Sequence, residues 1–297
     1  MARVQRGKDY RAGMIVGVVT PVRNGAGLIA DTIRSVLDQT AVHDRSVQIR
    51  YVIQDGDSTD GTVDIARLAA DGRATVVSST DTGMYDALAR GFAEIKAQGG
   101  ADWYCYLNAG DLWDPRCLQL VNHVAQHTST SWLCGLHAYF GANGSLVHTK
   151  LPFRYRRDLL RAGVYGRGLP TVQQESTFWR ADLHELIDMQ ALSTYAVAGD
   201  SYLWWTFAAR TEPAIIEALL GGFRYHGGHL GVSKIEYRDE LARIAGALSP
   251  VVRARIPAER ALWEQPARAK AALNPNLLRY DIPTGGWRGQ RTQLPPL

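Results

Sequence analysis

Cysteine is scarce: the chain of 297 residues holds three, Cys105, Cys117 and Cys134. Their number is odd and their spacing is not that of a metal cluster, so a disulfide framework and a structural zinc site are both excluded as organising principles. No stretch approaches the roughly 18 consecutive apolar residues of a membrane-spanning helix. The segment before Met14 is basic but has no apolar core, so it reads as a frayed tail and not as a signal peptide. Lysine and arginine are scattered without forming a stripe, which argues against a nucleic-acid-binding surface. Net charge is only +4. That mild bias permits an anionic ligand or an acidic membrane surface and demands neither. No Walker loop, no G-x-S-x-G elbow and no internal repeat is present. The length suits one large domain, or a domain with an appendage.

What is present is an alternation. Met14–Thr20 reads as a buried strand closed by Pro21, and Ala26–Asp38 as a helix with Ile29, Ile33, Val36 and Leu37 on one face. Strands at Ile49–Ile53 and Ala74–Val77 are followed by helices at Thr62–Ala70 and Gly83–Ala97. Trp103–Leu107 is an unbroken apolar run, the signature of a strand buried on both faces. Strand and helix alternating four times predict an α/β fold with a mostly parallel, doubly wound sheet flanked by helices, over residues 14–125.

After Val121 the rhythm changes, and residues 126–249 read as a mixed second half of the same domain. Trp132–Phe140 and Leu146–Thr149 flank a Gly-Ala-Asn-Gly turn and read as a hairpin. Lys150–Thr171 reads as a loop, Asp200–Arg210 as a helix and Ile215–Leu219 as a last strand. Ser233 and Glu236 have capping-box spacing, opening a helix to about residue 247. Residues 250–297 read as a helix-poor, partly extended C-terminal extension.

In a parallel sheet the loops after the four strands line one edge, where open α/β sheets take ligands. Those loops are Thr20–Asn24, Asp55–Gly61, Thr80–Tyr85 and Asn108–Asp111. They bring Asp55, Asp57, Asp86 and Asp111 toward a common crevice. Carboxylates crowded together repel unless a cation lies among them, and a divalent ion on a diphosphate would answer that need. Asp111 is the leading candidate, with a cap on the helix around 115–126 as its purely structural alternative. Ser58 and Asp60 have a similar alternative as caps of the helix from Thr62. Gly25-Ala26-Gly27-Leu28-Ile29-Ala30 matches a dinucleotide-binding pattern, but five residues separate its first glycine from the strand, too many for the tight turn that pattern needs. Trp204, Trp205 and Phe207 at helical spacing read as core. Tyr85 and Trp113 read as candidates for stacking on a sugar.

Thr20-Pro21-Val22-Arg23-Asn24, Asp55-Gly56-Asp57-Ser58-Thr59-Asp60-Gly61-Thr62, Gly83-Met84-Tyr85-Asp86-Ala87 and Leu107-Asn108-Ala109-Gly110-Asp111 resemble, in order and spacing, the donor half of family 2 glycosyltransferases with the GT-A fold. The resemblance continues through Gln173–Arg180, Ala198–Tyr202 and Phe223–Gly228. It implies a transferase that moves a sugar, with inversion, from a nucleotide-diphosphate sugar to a saccharide or lipid-linked saccharide of the cell surface. Thr20, Pro21, Arg23, Asn24, Asp55, Asp57, Gly83, Tyr85, Asp86 and Asn108 would contact the donor. Asp111 would bind Mg²⁺ or Mn²⁺ on its diphosphate, with Asp86 as a helper, and Asp200 would be the general base. Gln174, Glu175, Trp113 and His226 would lie near the sugar or acceptor. Two positions depart from the family pattern. Asn108 and Gly110 stand where the metal motif usually has further carboxylates, and Ala89 where many members have Asn. The rival readings are a catalytically silent nucleotide-sugar-binding protein and a nicotinamide-dependent oxidoreductase. The location implied is the cytoplasm, with peripheral contact at the inner face of the membrane through the C-terminal extension.

Overall fold

The computed structural model describes residues 13–225, 234–290 and 292–297. The N-terminal part runs β1 (Met14–Val22), α1 (Ile29–Leu37), α2 (Thr40–His43), β2 (Val47–Asp55), α3 (Thr62–Ala70), β3 (Thr75–Ser78), α4 (Met84–Ala97) and β4 (Trp103–Tyr106). Then come β5 (Leu112–Trp113), α5 (Cys117–His127), β6 (Trp132–Cys134), β7 (His137–Phe140), β8 (Leu146–Lys150) and α6 (Arg157–Arg161). A 3₁₀ turn (Gln174–Ser176) leads into β9 (Thr177–Arg180), α7 (Ala181–His184), α8 (Met189–Leu192), α9 (Gly199–Phe207), β10 (Ala214–Ile216) and β11 (Gly221–Arg224). The chain ends with α10 (Lys234–Ala245), α11 (Pro250–Trp263), α12 (Ala267–Leu273), β12 (Leu277–Asp281) and β13 (Gly286–Arg288).

Nine strands form the main sheet in the order β13-β12-β10-β6-β9-β4-β1-β2-β3. The block β3-β2-β1-β4 is parallel, as the alternation predicts. Beyond it β9 runs antiparallel to both β4 and β6. Strand β4 is buried at all four positions and lies in the middle, which explains its unbroken apolar sequence. Strand β1 continues through Pro21 to Val22. Proline is tolerated there because pairing with β4 stops at Val19, so no ladder hydrogen bond is lost on that side. Helix α1 buries Ile29, Ile33, Val36 and Leu37, the face read from the sequence.

A second sheet, β5-β11-β7-β8, stands beside the first. The expected hairpin is its β7–β8 pair, closed by Gly141–Gly144 with Gly144 at φ 79°. The single strand expected over 132–140 is broken into β6 and β7 at Gly135, where a Cβ would meet the Ala218 carbonyl oxygen at 3.0 Å and the Leu220 side chain at 2.8 Å.

Three expectations are corrected. The 150–171 stretch contains α6, and its aromatic residues are core: Phe153, Tyr155 and Tyr165 are buried, with Tyr155 edge-on to Trp263 at 5.1 Å. Strand β10 is not the last, since β11, β12 and β13 follow it. Residues beyond 250 are not helix-poor. Ser249 caps α11 by accepting from the Val252 N–H, with Pro250 in the first turn. A Ser-Pro pair that reads as a break is here a helix start, because proline's missing N–H costs nothing in the first turn.

Candidate active site

The loops after β1 to β4 emerge from the same edge of the sheet, since Val22 is in register with Asp55 and Asp55 with Ser78. The first two are tied together. The Asn24 N–H donates to Ser58 Oγ and the Thr59 N–H to Asn24 Oδ1. The Gly25 N–H donates to Thr62 Oγ1, and the Ala26 N–H to Asp60 Oδ2. Asp60 thus joins the two loops as well as accepting from the Thr62 N–H. These bonds occupy the N–H groups that a dinucleotide pyrophosphate would need at Gly25–Ala26. Asn24 and Asp57 hold positive φ of 51° and 61°, which the tight loops require.

The four aspartates grouped by the sequence reading do not form one carboxylate cluster. Asp55 is fully buried, and its carboxylate accepts from Ser58 and Ser78. Asp57 accepts from Thr80 Oγ1 at 3.4 Å on the exposed rim. Asp86 is committed to Arg90 at 2.9 Å and to the Thr82 N–H at 3.0 Å, so it is not free to help Asp111 with a cation. Arg90 and the backbone bonds hold the Asp86 carboxyl below its ordinary value against the opposing effect of burial. Thr20 is buried and shares a 2.8 Å hydrogen bond with the Tyr51 hydroxyl. Gly83, at φ 142°, turns the chain into α4.

A different carboxylate group does assemble: Asp111, Glu175 and Asp200. Asp111 is 4% exposed, and Oδ1 accepts from the Arg224 N–H at 3.1 Å while Oδ2 accepts from Gln174 Nε2 at 3.4 Å. It caps no helix, because the N-cap position of α5 is Arg116 and carries no side-chain cap. Burial pushes the Asp111 carboxyl well above the usual carboxylate range, and the Glu175 charge pushes it further. Burial likewise carries Glu175 up to about 7, with the Asp200 charge adding to it. Asp200, in the first turn of α9, is raised to about 6 by burial, opposed by hydrogen bonds from Ser201 and the Tyr85 hydroxyl. Three acids held above the ordinary carboxylate range, close enough to feel one another's charge, are an arrangement that proton transfer uses.

The supports of this group come from distant parts of the chain. Glu240 of α10 accepts three backbone N–H bonds, from Ala196, Val197 and Ala198, and so fixes the start of α9. Tyr237 shares a 3.0 Å hydrogen bond with Ser201 Oγ. Arg224, 4% exposed, donates Nε to the Gly110 carbonyl at 2.6 Å and Nη1 to Asp31 at 2.9 Å. Tyr85 is 2% exposed and packs on Gly199, and Trp113 donates its indole N–H to the Glu175 carbonyl at 3.0 Å. Both rings are walls of the crevice, not exposed stacking faces as the sequence reading expected. Trp204 and Phe207 are core. His226 lies outside the described residues.

Sequence reasoning missed Asp81, Gln173 and Glu240. Asp81 is raised by burial, lies near Asp86 and Arg23, and accepts from the Gly83 N–H. Its signal was available in Asp-x-Gly ahead of a helix. Glu240 has no local signal for this role, since the backbone N–H groups it holds lie more than forty residues away.

A cavity of about 670 Å³ lies elsewhere, lined by Arg154, Arg156, Arg157, Arg161 and Glu212. Its arginines are committed to Glu212, Glu259 and the carbonyls ending α9. Among the described residues no group of three or more His, Cys, Asp or Glu could hold a metal ion by itself.

Parallel strands that deliver a ligand edge, an antiparallel insertion and a second small sheet are the GT-A fold of nucleotide-sugar transferases. A model of glycosyl transferase family 2 matches residues 17–184, more than half of the chain, and the chain belongs to that family. No curated protein matches it. Among solved structures, TarS 1-349 of S. aureus in complex with UDP-GlcNAc superposes with a TM-score of 0.59 at 15% identity, covering 83% of this chain and 71% of that one. Glucosyl-3-phosphoglycerate synthase from Mycobacterium tuberculosis, in complex with Mg²⁺ and UDP, gives 0.54 at 20% identity, covering 80% and 82%. The mannosyltransferase PcManGT from Pyrobaculum calidifontis, in complex with GDP-Man and Mn²⁺, gives 0.51 at 16%, covering 88% and 79%. The chain spans 60% of one TarS 1-349 chain and 42% of another TarS chain. At these identities the likeness is one of fold.

Proposed function

We propose that this chain is an inverting glycosyltransferase, moving a sugar from a nucleotide-diphosphate donor to a saccharide or lipid-linked saccharide. The observation that carries the reading is the convergence of Asp111, Glu175 and Asp200 at the ligand edge of a GT-A sheet. Thr20, Pro21, Arg23, Asn24, Asp55, Asp57 and Asp81 surround the nucleoside end, with Asn108 and Gly83 nearer the diphosphate. Asp200 takes the proton from the acceptor hydroxyl as that oxygen attacks the anomeric carbon opposite the leaving group. Its value of about 6 leaves it ionised at neutral pH yet basic enough to accept a proton. Tyr85 and Glu240 keep it in place. Gln174 and Glu175 line the sugar side.

A divalent cation fits here in company with the donor. Asn108 Oδ1 and Glu175 Oε2 are buried without a hydrogen-bond partner among the described residues, and the Glu175 carboxyl lies against that of Asp111. Such an all-oxygen set suits Mg²⁺ or Mn²⁺, which are commonly held by one or two carboxylates together with substrate phosphates. When bound, the ion would offset charge developing on the leaving diphosphate. Solved structures of similar fold holding UDP with Mg²⁺ and GDP-Man with Mn²⁺ support this reading. No described helix is long and apolar enough to cross a membrane. Exposed Val251, Leu273, Tyr280 and Ile282 on the C-terminal part support peripheral contact with the inner face of a membrane from the cytoplasm.

The test is a thermal-shift screen of UDP, GDP, dTDP and CDP, each with Mn²⁺ and with a chelator. One nucleoside diphosphate should stabilise the protein, by roughly 2.7 kcal/mol at about 100 times its dissociation constant. Its effect should need the metal. With the matching donor sugar, Asp200→Asn should lose transfer at least a thousandfold while keeping donor affinity. Full activity in that variant would remove Asp200 as the base. Donor binding without turnover in the wild type would favour the catalytically silent reading.

A further inference from the structure

The cavity of about 670 Å³ lies at the end of α9 remote from Asp200, beside Ala208 and Ala209. Four arginines line it, Arg154, Arg156, Arg157 and Arg161, against two carboxylates, Asp158 and Glu212. Both carboxylates are taken. Glu212 Oε1 accepts from Arg154 Nε at 2.8 Å and from Asn276 Nδ2 at 2.7 Å, and Oε2 accepts the Arg157 backbone N–H at 3.4 Å. Asp158 accepts from Arg255 of α11 at 2.6 Å. Arg156 is paired with Glu259, also of α11, at 3.0 Å.

Arg157 and Arg161 are held differently, by neutral groups. Arg157 donates Nε to the Ala208 carbonyl at 3.0 Å and Nη2 to the Ala209 carbonyl at 2.8 Å. Arg161 donates Nη1 to the Trp205 carbonyl at 3.1 Å, and its guanidinium carbon lies 3.5 Å over the Trp205 ring. Such partners fix a guanidinium without cancelling its charge. The carbonyl end of a helix carries roughly half a negative charge, well short of two guanidinium charges. The two arginines are four residues apart on α6, so their like charges face one another. Burial and the Arg157 charge together hold Arg161 below its ordinary value. Arg157 Nη1 and Arg161 Nε and Nη2 have no partner among the described residues. Capping α9 explains the carbonyl bonds, but it leaves this repulsion unrelieved. Two fixed forks at an open cavity, each with donors to spare, are the complement of a phosphate group.

We propose that this cavity is a phosphate-binding site separate from the donor crevice, with Arg157 and Arg161 as its two forks. The ligand chemistry is a phosphate ester, which a membrane-lipid head group and a soluble phosphate compound both carry. The adjoining surface favours the lipid. On α11, Val251 and Arg255 stand one turn apart on the same face. Val251 is 73% exposed, and Arg255 is the residue tied to Asp158 of the cavity. An exposed apolar side chain beside a cationic cavity suits a protein that rests on an anionic head-group layer. The site stands whether or not the chain transfers a sugar.

The experiment has two arms, both on the full chain. In the first, inorganic phosphate is titrated to millimolar concentration while the arginine Nε–H signals are followed by NMR, with Arg157→Lys and Arg161→Lys assigning the two signals. In the second, the protein is sedimented with vesicles of phosphatidylcholine alone or mixed with phosphatidylglycerol. The Arg157 and Arg161 signals should shift with phosphate. The protein should sediment with the anionic vesicles only, and an Arg157→Gln, Arg161→Gln double variant should bind them about tenfold more weakly or worse. Shifted signals with equal vesicle binding in wild type and double variant would assign the site to a soluble phosphate compound. Unmoved signals together with equal vesicle binding would overturn the proposal and leave the two arginines as caps of α9. If the double variant does not fold, the wild-type titration decides alone. The thermal shift given by the nucleoside diphosphate should be the same in wild type and double variant. A wild type that no nucleoside diphosphate stabilises, but whose arginine signals move with phosphate, would sink the transferase reading and keep this site.

Discussion

Glu175 is a carboxyl with no cationic partner to offset its burial: one oxygen makes no hydrogen bond among the described residues, hydrogen bonds to Gln174 and Asp111 only partly oppose the effect of burial, and the Asp200 charge adds to it. Its folded value of about 7 lies above the ordinary 4.5, so the folded protein holds a proton that the unfolded chain releases. Stability tied to this group is therefore fully present below about pH 4.5 and is lost as pH rises toward 7. By the same reasoning Asp200 loses its share between its ordinary 3.8 and about 6. Glu175→Gln keeps the shape and removes the ionisation. Urea unfolding should find this variant more stable than wild type at pH 8, by up to about 3 kcal/mol. At pH 4 the two should nearly coincide. A difference that does not change with pH would mean that Glu175 is ionised throughout. Little of this was legible beforehand. The sequence placed Glu175 near the acceptor through a motif, but a buried acid looks like any other acid until the strands that bury it are known.

At the scale of elements, the first four strands and helices were legible because each depends on local pattern: a buried run for β4, a 3.6-residue stripe for α1. The start of α9 was legible only in part. A helix behind an acidic residue could be read, but its support could not, because Glu240 and Tyr237 belong to α10 and Tyr85 to α4. The same holds for the grouping of carboxylates. Loop position predicted Asp55 and Asp86 beside Asp111, but serines and Arg90 satisfy those two locally, and Asp111 finds Glu175 instead. Gly199 is the contact between these elements. A Cβ there would fall 2.4 Å from the Tyr85 ring, and that ring is itself enclosed. Gly199→Ala should cost roughly 1–3 kcal/mol from overpacking. It should also displace Asp200, so that kcat falls at least tenfold while the affinity for the nucleoside diphosphate is kept. Unchanged kcat with lowered stability would show that α9 can shift without moving the base.

For the whole molecule, the C-terminal part decides where the main sheet ends. Read as sequence, 250–297 is an appendage, because its prolines punctuate it and its apolar residues are sparse. In the fold it is a sheet edge. Leu277 and Leu278 pair with Ile215 and Ile216, and the Glu217 N–H donates to the Leu278 carbonyl at 2.8 Å. Asn274 is fully buried and donates to the Phe153 carbonyl at 2.6 Å. His123 reaches the Pro295 carbonyl at 2.9 Å, tying the end of the chain to α5. Leu277, Leu278, Trp287 and Leu294 are nearly without exposure. A chain ending at Asn274 would uncover β10 as a bare edge and lose all four of these side chains. Burial at about 1.5–3 kcal/mol for each large apolar side chain makes the loss at least about 5 kcal/mol, comparable to the whole stability of many domains. The truncated protein should therefore unfold at much lower urea or aggregate on expression, even though every residue of the proposed site is still present. If instead it keeps the wild-type urea midpoint and binds the same nucleoside diphosphate, then 275–297 is an appendage after all, and its exposed Tyr280 and Ile282 would be free to serve a membrane surface without cost to the fold.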